Sequence, residues 1–335
     1  MPAAAPATPV WLVATPGVLL LDLAAMAEPL RLANKFAGAK TFELQMAGPA
    51  GAIQSSLPVQ LAGLGELPGS LGGSRENPAW VVLSGTTSDV PASQRNAAEG
   101  ATVDWLKTVV APALSARTAR LWTVCSGALL AARAGLLNGR QCTTHHELVD
   151  QLKKNHPAAE VQENRIFVID GPVATSAGIT AGIDLALAAI GERCGQAVAS
   201  QVARDMVVYW RRAGGDPQLS PLLDHRNHLH PAVHRAQDAI LADPTADWDV
   251  ENMAAAAHVS SRHLRRLFQD NAGLNPLAYV HSVRVGLAKQ ALARGASVEE
   301  AASQAGFGSA QQMRRAWKGM ESSLPRAAKA AAKRG

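Results

Sequence analysis

Two parts of this chain carry residues whose types and spacing suit chemistry. The first is Cys125, which follows the apolar run Leu121-Trp122-Thr123-Val124 and precedes Ser126-Gly127 and the helical stretch ALLAARAG. A nucleophile held on a sharp strand-to-helix turn is presented to solvent and to the free amides of the helix start. Those amides favour an anion, so the spacing predicts a lowered thiol pKa. The bland alternative is an inert buried thiol, and Cys142 and Cys194 are read that way. The second part is a pair of basic helical stretches near the C-terminus. Leu264, Phe268, Gly273, Pro276 and Tyr279 recur at an offset of 49 as Met313, Trp317, Ser322, Pro325 and Ala328. A repeat at this scale means two copies of one supersecondary unit.

Each copy reads as a short helix, a turn beginning with Ser (Ser260, Ser309), and a second helix. Serine is a good N-cap because its hydroxyl accepts from a free amide of the first turn. On the second helix of the first copy, Leu264 and Phe268 share the inward face. Ser261, Arg262, Arg265, Arg266 and Gln269 point elsewhere. On that of the second copy, Met313 and Trp317 are inward, while Gln311, Gln312, Arg314, Arg315 and Lys318 are outward. Arginine suits guanine edges and phosphates, and glutamine suits adenine edges. A solvated basic face would also explain one such helix; two related by a repeat point to recognition helices in the major groove of double-stranded DNA.

The charge distribution agrees. Across 335 residues the net charge is +5, yet from Asn252 onward 13 Lys/Arg face 4 Asp/Glu. A basic module on a neutral one reads as a polyanion reader carried by something else. Charged residues at 18% and apolar ones at 47% indicate globular domains, and the length predicts about two of them. Three Cys are no disulfide framework and fit a reducing compartment. A spanning segment and a signal peptide are not expected, because no apolar run is long enough and the start lacks basic residues. A cytoplasmic protein is the expectation, without cofactor and without membrane attachment.

The elements that must position these residues follow from the apolar pattern. Buried strands are predicted at Val10–Ala14, Phe42–Ala47, Trp80–Leu83 and Leu121–Val124, with a hairpin from Arg165–Asp170 and Val173–Ser176 around Gly171-Pro172. Helices are expected near 23–37, 102–116, 126–135, 145–155 and 181–212. Continuous apolar strands between helices imply a parallel sheet covered on both faces. Beyond Trp210 the chain turns polar and Gly/Pro-rich, then all-helical: 233–242, 249–257, 260–270, 275–293, 297–304 and 309–319. His225, His228, His230 and His234 cluster at that junction; a solvated linker is favoured over a metal site, since no Cys or Glu completes a ligand set.

Residues 233–325, with AAAAHVSSRHLRRLFQDNAGLNPLAYVHSVRVGLAKQAL and SVEEAASQAGFGSAQQMRRAWKG, resemble the AraC/XylS-type DNA-binding domain. The resemblance implies two helix-turn-helix units joined by a long helix, about 275–293, entering adjacent major grooves on one face of DNA. Ser322 and Ala328 stand where that family has Gly and an aromatic residue. Residues 9–212, with CSGALLAARAGLLNGRQCTTHHE and VATSAGITAGIDLAL, resemble the PfpI/ThiJ superfamily, the class I glutamine amidotransferase-like fold, and most of all the members fused to AraC-type domains.

That resemblance supplies partners for Cys125. Asp22 matches the acidic residue near the elbow cysteine, and His145 matches the family's histidine. Glu28 matches another acidic position but reads as a helix surface charge, and His146 stands where an aromatic residue is usual. Gly85-Thr86 matches a Pro-Gly-Gly turn whose backbone amide would face an oxyanion, with Thr86 narrowing close approach. Ala25-Met26 replaces the usual Gly-Pro. Cysteine, carboxylate and imidazole serve thiol chemistry, and they serve a polar ligand pocket equally well.

The expected fold is therefore α/β: an N-terminal parallel-sheet sandwich, flavodoxin-like or class I glutamine amidotransferase-like, followed by an all-α domain with two helix-turn-helix units. The expected domains are 9–212 for ligand sensing, 213–232 as linker, 233–325 for DNA binding and 326–335 as a basic tail. The function expected is a sequence-specific transcriptional regulator. Its effector, of amino-acid or amine type, would meet Asp22, Gly85, Thr86, Cys125, Ser126 and His145. A homodimer is expected, with RNA polymerase as a further partner. The rivals are a Cys125-dependent hydrolase, hydratase or amidase, and an oxidation sensor built on Cys125.

Overall fold

The structure is a computed structural model that describes residues 6–208, 214–215, 218, 225–226, 228, 230–293 and 295–318. The chain divides into two compact units, Met1–Gln218 and Leu219–Gly335.

The first unit alternates strands and helices. In chain order these are β1 (Thr8–Val13), α1 (Leu20–Phe36), β2 (Phe42–Gly48), β3 (Ala52–Gln54), β4 (Gln60–Ala62), β5 (Gly65–Glu66), β6 (Ala79–Leu83), α2 (Ala92–Trp105), α3 (Ala111–Ser115), β7 (Ala119–Val124) and α4 (Gly127–Arg133). Then follow β8 (Gln141–Cys142), α5 (Val149–Asn155), β9 (Glu160–Val161), β10 (Phe167–Asp170), β11 (Val173–Ser176), α6 (Thr180–Cys194) and α7 (Gln196–Asp205). A seven-stranded sheet runs in the order β10-β11-β7-β6-β1-β2-β5. All its neighbours are parallel except the β10–β11 hairpin.

Side chains alternate between two apolar layers, as the strand period requires. Val10, Leu12, Trp80, Val82 and Trp122 pack on one face, with residues of α1, α6 and α7. Val13, Val81, Leu83 and Leu121 pack on the other, with residues of α2, α3 and α4.

Several elements differ from the sequence expectation. The helix expected at 102–116 begins ten residues earlier, at Ala92, and passes through a π-helical turn, Leu106–Val110, before α3. Pro112 lacks an amide donor and its ring crowds the preceding turn, which accounts for the widening there. The helix expected at 181–212 is two helices, broken at Gly195 with φ 86°; its last residues lie outside the described ones. Gln218, in the stretch expected as linker, is buried and its amide donates to Thr143 Oγ1 and the Thr144 carbonyl.

The second unit holds α8 (Pro231–Ala242), α9 (Val250–Ala257), α10 (Ser261–Ala272), α11 (Pro276–Ala293), α12 (Val298–Gln304) and α13 (Ala310–Lys318). Two apolar cores run through it. Tyr279, Val280 and Val283 of α11 join Leu264 and Phe268 in the first. Val285, Ala288 and Leu292 of the same helix join Met313 and Trp317 in the second. The anchor pairs of the repeat thus fill equivalent positions in two successive cores. The rest of the repeat in its second copy, Ser322, Pro325 and Ala328, lies outside the described residues.

Candidate functional site: an elbow-cysteine cleft and two outward basic helices

Cys125 leaves β7 in the left-handed region, φ 53°, a conformation that L side chains rarely adopt. Its amide donates to the Ser176 carbonyl at 3.0 Å and its carbonyl accepts from the Thr144 hydroxyl at 2.9 Å. Two glycines admit this turn. A Cβ on Gly85 would collide with Asp22 Oδ2 and Cys125 Cβ, and one on Gly178 would collide with Cys125 Cβ. The elbow therefore sits at the carboxyl ends of parallel strands, where open α/β sheets place ligands.

Asp22, in the first turn of α1, is fully buried behind the elbow. Its Oδ1 accepts the Ile179 amide at 2.6 Å. Burial pushes the carboxyl above its ordinary range, opposed by the Ile179 amide and, more weakly, by the nearby Gly85 amide and Cys125 thiol. Ile179 is itself a β-branched residue at φ 52°, held there by that hydrogen bond and 42% exposed at the cleft wall.

The thiol does not follow the sequence expectation of a lowered pKa. Burial first, and the neighbouring Asp22 carboxyl second, push Cys125 up to about 12. The pull of the Ser126 amide at the start of α4 is smaller than the cost of desolvating a thiolate. Cys142 is buried, and burial pushes it to about 11; Cys194 is half-buried, and all three are free thiols.

A cleft of about 630 Å³ opens over the elbow, lined by Thr86, Cys125, Ser126, His145, Glu147 and Ile179 among others. Of the expected ligand contacts, Thr86, Cys125, Ser126 and His145 line it; Asp22 and Gly85 lie behind it. The amide of Thr86 does not face the cleft as a free oxyanion donor. It donates to the Ser126 hydroxyl at 2.8 Å, and that hydroxyl donates to the Thr86 carbonyl at 3.2 Å. The His145 ring stacks on His146 at 4.3 Å and its Nδ1 lies 3.7 Å from Glu147 Oε2. Burial, then His146, lowers the His145 pKa. His146 is exposed and outside the cleft lining. Glu28 pairs with Arg31 on the exposed face of α1.

The cleft lining also holds charges that single-residue reading missed. Glu99 meets Arg133 at 2.5 Å and Arg95 at 3.6 Å, and Arg95 also donates to the Ser88 carbonyl. The i,i+4 spacing of Arg95 and Glu99 was a signal for one of these contacts; Arg133 comes from a different helix.

In the second unit, Ser260 caps α10 by accepting the His263 amide at 3.3 Å, and Ser309 caps α13 by accepting the Gln312 amide at 3.1 Å. Arg262, Arg265, Arg266 and Gln269 are exposed, Ser261 half-exposed. With 3.6 residues per turn, the four long side chains fall within an arc of about 100°, opposite the buried Leu264 and Leu267. On α13, Gln311, Arg315 and Lys318 are exposed around Arg315, opposite Met313 and Trp317. Two expected contacts are partly engaged. Arg314 lies 3.9 Å from Glu299, and Gln312 Oε1 accepts the Gly308 amide at 2.9 Å. Gln312 therefore closes its helix start, with one lone pair of its amide oxygen engaged there.

The histidines at the junction are engaged with their own unit. His225 Nδ1 lies 3.1 Å from the Ala272 carbonyl, and His234 Nε2 lies 2.6 Å from the His228 carbonyl. Among the described residues, no group of three or more His, Cys, Asp or Glu is placed to hold a metal ion.

The DJ-1/PfpI family model matches residues 81–192, and a helix-turn-helix domain model matches residues 253–331. The HTH-type transcriptional regulator GlxA of Rhizobium meliloti (strain 1021) is 29% identical over 311 residues, covering 91% of this chain and 90% of that protein. The HTH-type transcriptional regulator GbdR of Pseudomonas aeruginosa (strain UCBPP-PA14) is 33% identical over 190 residues, 56% of this chain and 51% of that one. Isonitrile hydratase of Pseudomonas putida is 42% identical over 76 residues, 22% of this chain and 31% of that enzyme. A crystal structure of an AraC family transcriptional regulator from Pseudomonas putida superposes with a TM-score of 0.50 at 18% identity, covering 60% of this chain and all of that one. The chain thus carries an AraC-type helix-turn-helix domain behind a DJ-1/PfpI domain, and it is similar to an HTH-type transcriptional regulator over most of its length.

Proposed function

We propose that this regulator binds operator DNA through α10 and α13 and that occupancy of the Cys125 cleft by a small polar metabolite controls that binding. The observation that carries the DNA reading is the pair of outward faces, Arg262, Arg265, Arg266 and Gln269 on one helix and Gln311, Arg315 and Lys318 on the other. Each stands opposite an apolar anchor pair.

The effector reading rests on the cleft's charges. Glu99 meets two guanidiniums, which leaves that cluster net cationic, while Glu147, also in the lining, is exposed. A zwitterion of amino-acid or amine type complements both charges. Thr86, Cys125, Ser126 and His145 are its proposed contacts, with Asp22 and Gly85 shaping the floor. The protein works as a homodimer on repeated half-sites, in the cytoplasm, and recruits or blocks RNA polymerase. Among the described residues no helix is long and apolar enough to cross a membrane.

Enzymatic use of Cys125 is the second reading, favoured by the strained elbow it shares with nucleophiles. The raised thiol pKa and the engaged Thr86 amide weigh against it. Gel-shift binding to the promoters flanking its own gene, at physiological salt with excess competitor, tests the proposal. A competitor-resistant shift altered by amino acids or amines supports it; absence of any specific shift, with turnover of an amide or isonitrile, overturns it.

A further inference from the structure

Arg284 stands on α11 between Val283, which packs in the first helix-turn-helix core, and Val285, which packs in the second. It is only 8% exposed. Its Nε donates to the Pro244 carbonyl at 2.8 Å and its Nη2 to the Ala246 carbonyl at 2.6 Å. Both carbonyls belong to the loop between α8 and α9. That loop is itself braced: the Asp243 carboxylate accepts from the Thr245 hydroxyl at 2.8 Å and the Ala246 amide at 3.2 Å, and the Trp248 indole donates to the Asp243 carbonyl at 2.7 Å. From the second helix-turn-helix unit, the turn between α12 and α13 meets the same loop at Gly306, φ 78°. A Cβ there would stand 2.7 Å from Thr245 Cα and 3.2 Å from Arg284 Nε.

We infer that Arg284 is a positioning residue that locks the two helix-turn-helix units in one relative orientation, with Gly306 as the turn that lets the second unit close on the seam. The inference rests on the reading of α10 and α13 as the DNA-contacting helices. Each unit has its own core, so a loosened seam leaves both folded and frees the angle between them. DNA rewards one orientation, because two grooves on one face lie a helical turn apart. A planar guanidinium fixes direction by its two-pronged donation, which an ammonium lacks.

The test uses the full chain and a duplex enriched from randomised DNA by the unmodified protein. Arg284→Gln is expected to keep its helical signal, to lose about tenfold or more in affinity as the second contact loses its effective concentration, and to protect one DNA segment where the unmodified protein protects two. Inserting one base pair between the segments is expected to weaken the unmodified protein sharply and Arg284→Gln little further, with Arg284→Lys between them. Unchanged affinity and spacing preference in Arg284→Gln would overturn the inference. So would an affinity loss that leaves both segments protected and the spacing preference intact. If Arg284→Gln unfolds the module, Gly306→Ala carries the same readouts at the same seam. Enrichment of no duplex by the unmodified protein would overturn the DNA reading and this inference together, whereas unaltered variants overturn the inference alone.

Discussion

Thr86 and Ser126 close on each other across the strand ends: the Thr86 amide donates to the Ser126 hydroxyl at 2.8 Å, and that hydroxyl returns a hydrogen bond to the Thr86 carbonyl at 3.2 Å. An acyl-transfer enzyme needs a donor of this kind aimed at the developing oxyanion. Here the donor is spent within the protein, at the mouth of a cleft whose thiol is held protonated. Both features weigh against acyl transfer at Cys125 and favour the proposed ligand-holding role.

The Cys125 thiol, pushed up to about 12 by burial and by the Asp22 carboxyl, carries far less thiolate at neutral pH than an ordinary thiol. Alkylation by iodoacetamide in the native protein is expected to be slow at pH 8 and to climb with pH past 9. Labelling at pH 7 as fast as that of a free cysteine would contradict this. Cys125→Ser is expected to leave DNA affinity in the absence of effector within about twofold, a difference below 0.5 kcal/mol; loss of that affinity would favour the oxidation-sensor reading.

Asp22 has its folded pKa raised above 3.8, so the folded state binds the proton more tightly than the unfolded one. The resulting stability is fully present below the unfolded pKa and is lost as pH rises through the folded one. Asp22→Asn keeps an acceptor for the Ile179 amide and removes the buried charge. It is expected to melt no lower than the unmodified protein at pH 7, to flatten the pH dependence on the acid side of neutral, and to speed Cys125 labelling. Thermal melts across pH 4 to pH 8 check the first two outcomes; a lowered melting temperature at pH 7 would contradict them.

Arg265→Ala and Arg315→Ala are each expected to weaken operator binding by about 1–3 kcal/mol, as for loss of a base-contacting arginine. Arg314→Ala, whose guanidinium lies 3.9 Å from Glu299, is expected to cost less. Titrations at fixed salt check the order. Equal losses at all three positions would reduce the contacts to nonspecific charge.

Much of this was legible in sequence because it depends on local pattern. Trp80–Leu83 and Leu121–Val124 are uninterrupted apolar runs, and only doubly covered strands tolerate them. The offset of 49 places both anchor pairs at 0–1% exposure. What escaped depends on tertiary context. Ala92–Ala101 carries little apolar signal, and its helix shows only once Thr102, Val103 and Trp105 are buried. Ile179 contradicts its own β-branched preference, because the buried Asp22 holds its amide. The pairing of Arg133 with Glu99 spans 34 residues and has no sequence pattern. Gln312 looked outward by spacing, but its oxygen reaches back to Gly308, as helix-start residues do.

The second helix-turn-helix unit depends on few residues. Ser297 and Glu300 form a reciprocal capping box at the start of α12, so Ser297→Ala is expected to cost about 1 kcal/mol. Trp317, 1% exposed, fills the core beneath α13; Trp317→Ala is expected to cost about 3–5 kcal/mol and to abolish the second DNA contact. Chemical denaturation of the full chain, followed by helical signal, checks both. An unchanged unfolding midpoint for Trp317→Ala would contradict the packing described.

The most direct test of the central claim is selection from randomised duplex DNA at physiological salt, with the unmodified protein and with Arg265→Ala and Arg315→Ala in parallel. The account predicts enrichment of a motif with two segments about one helical turn apart. It also predicts that each arginine variant loses sequence preference in one segment while keeping it in the other. Enrichment of no motif, or of one motif by all three proteins alike, would contradict the assignment of α10 and α13 as the reading helices.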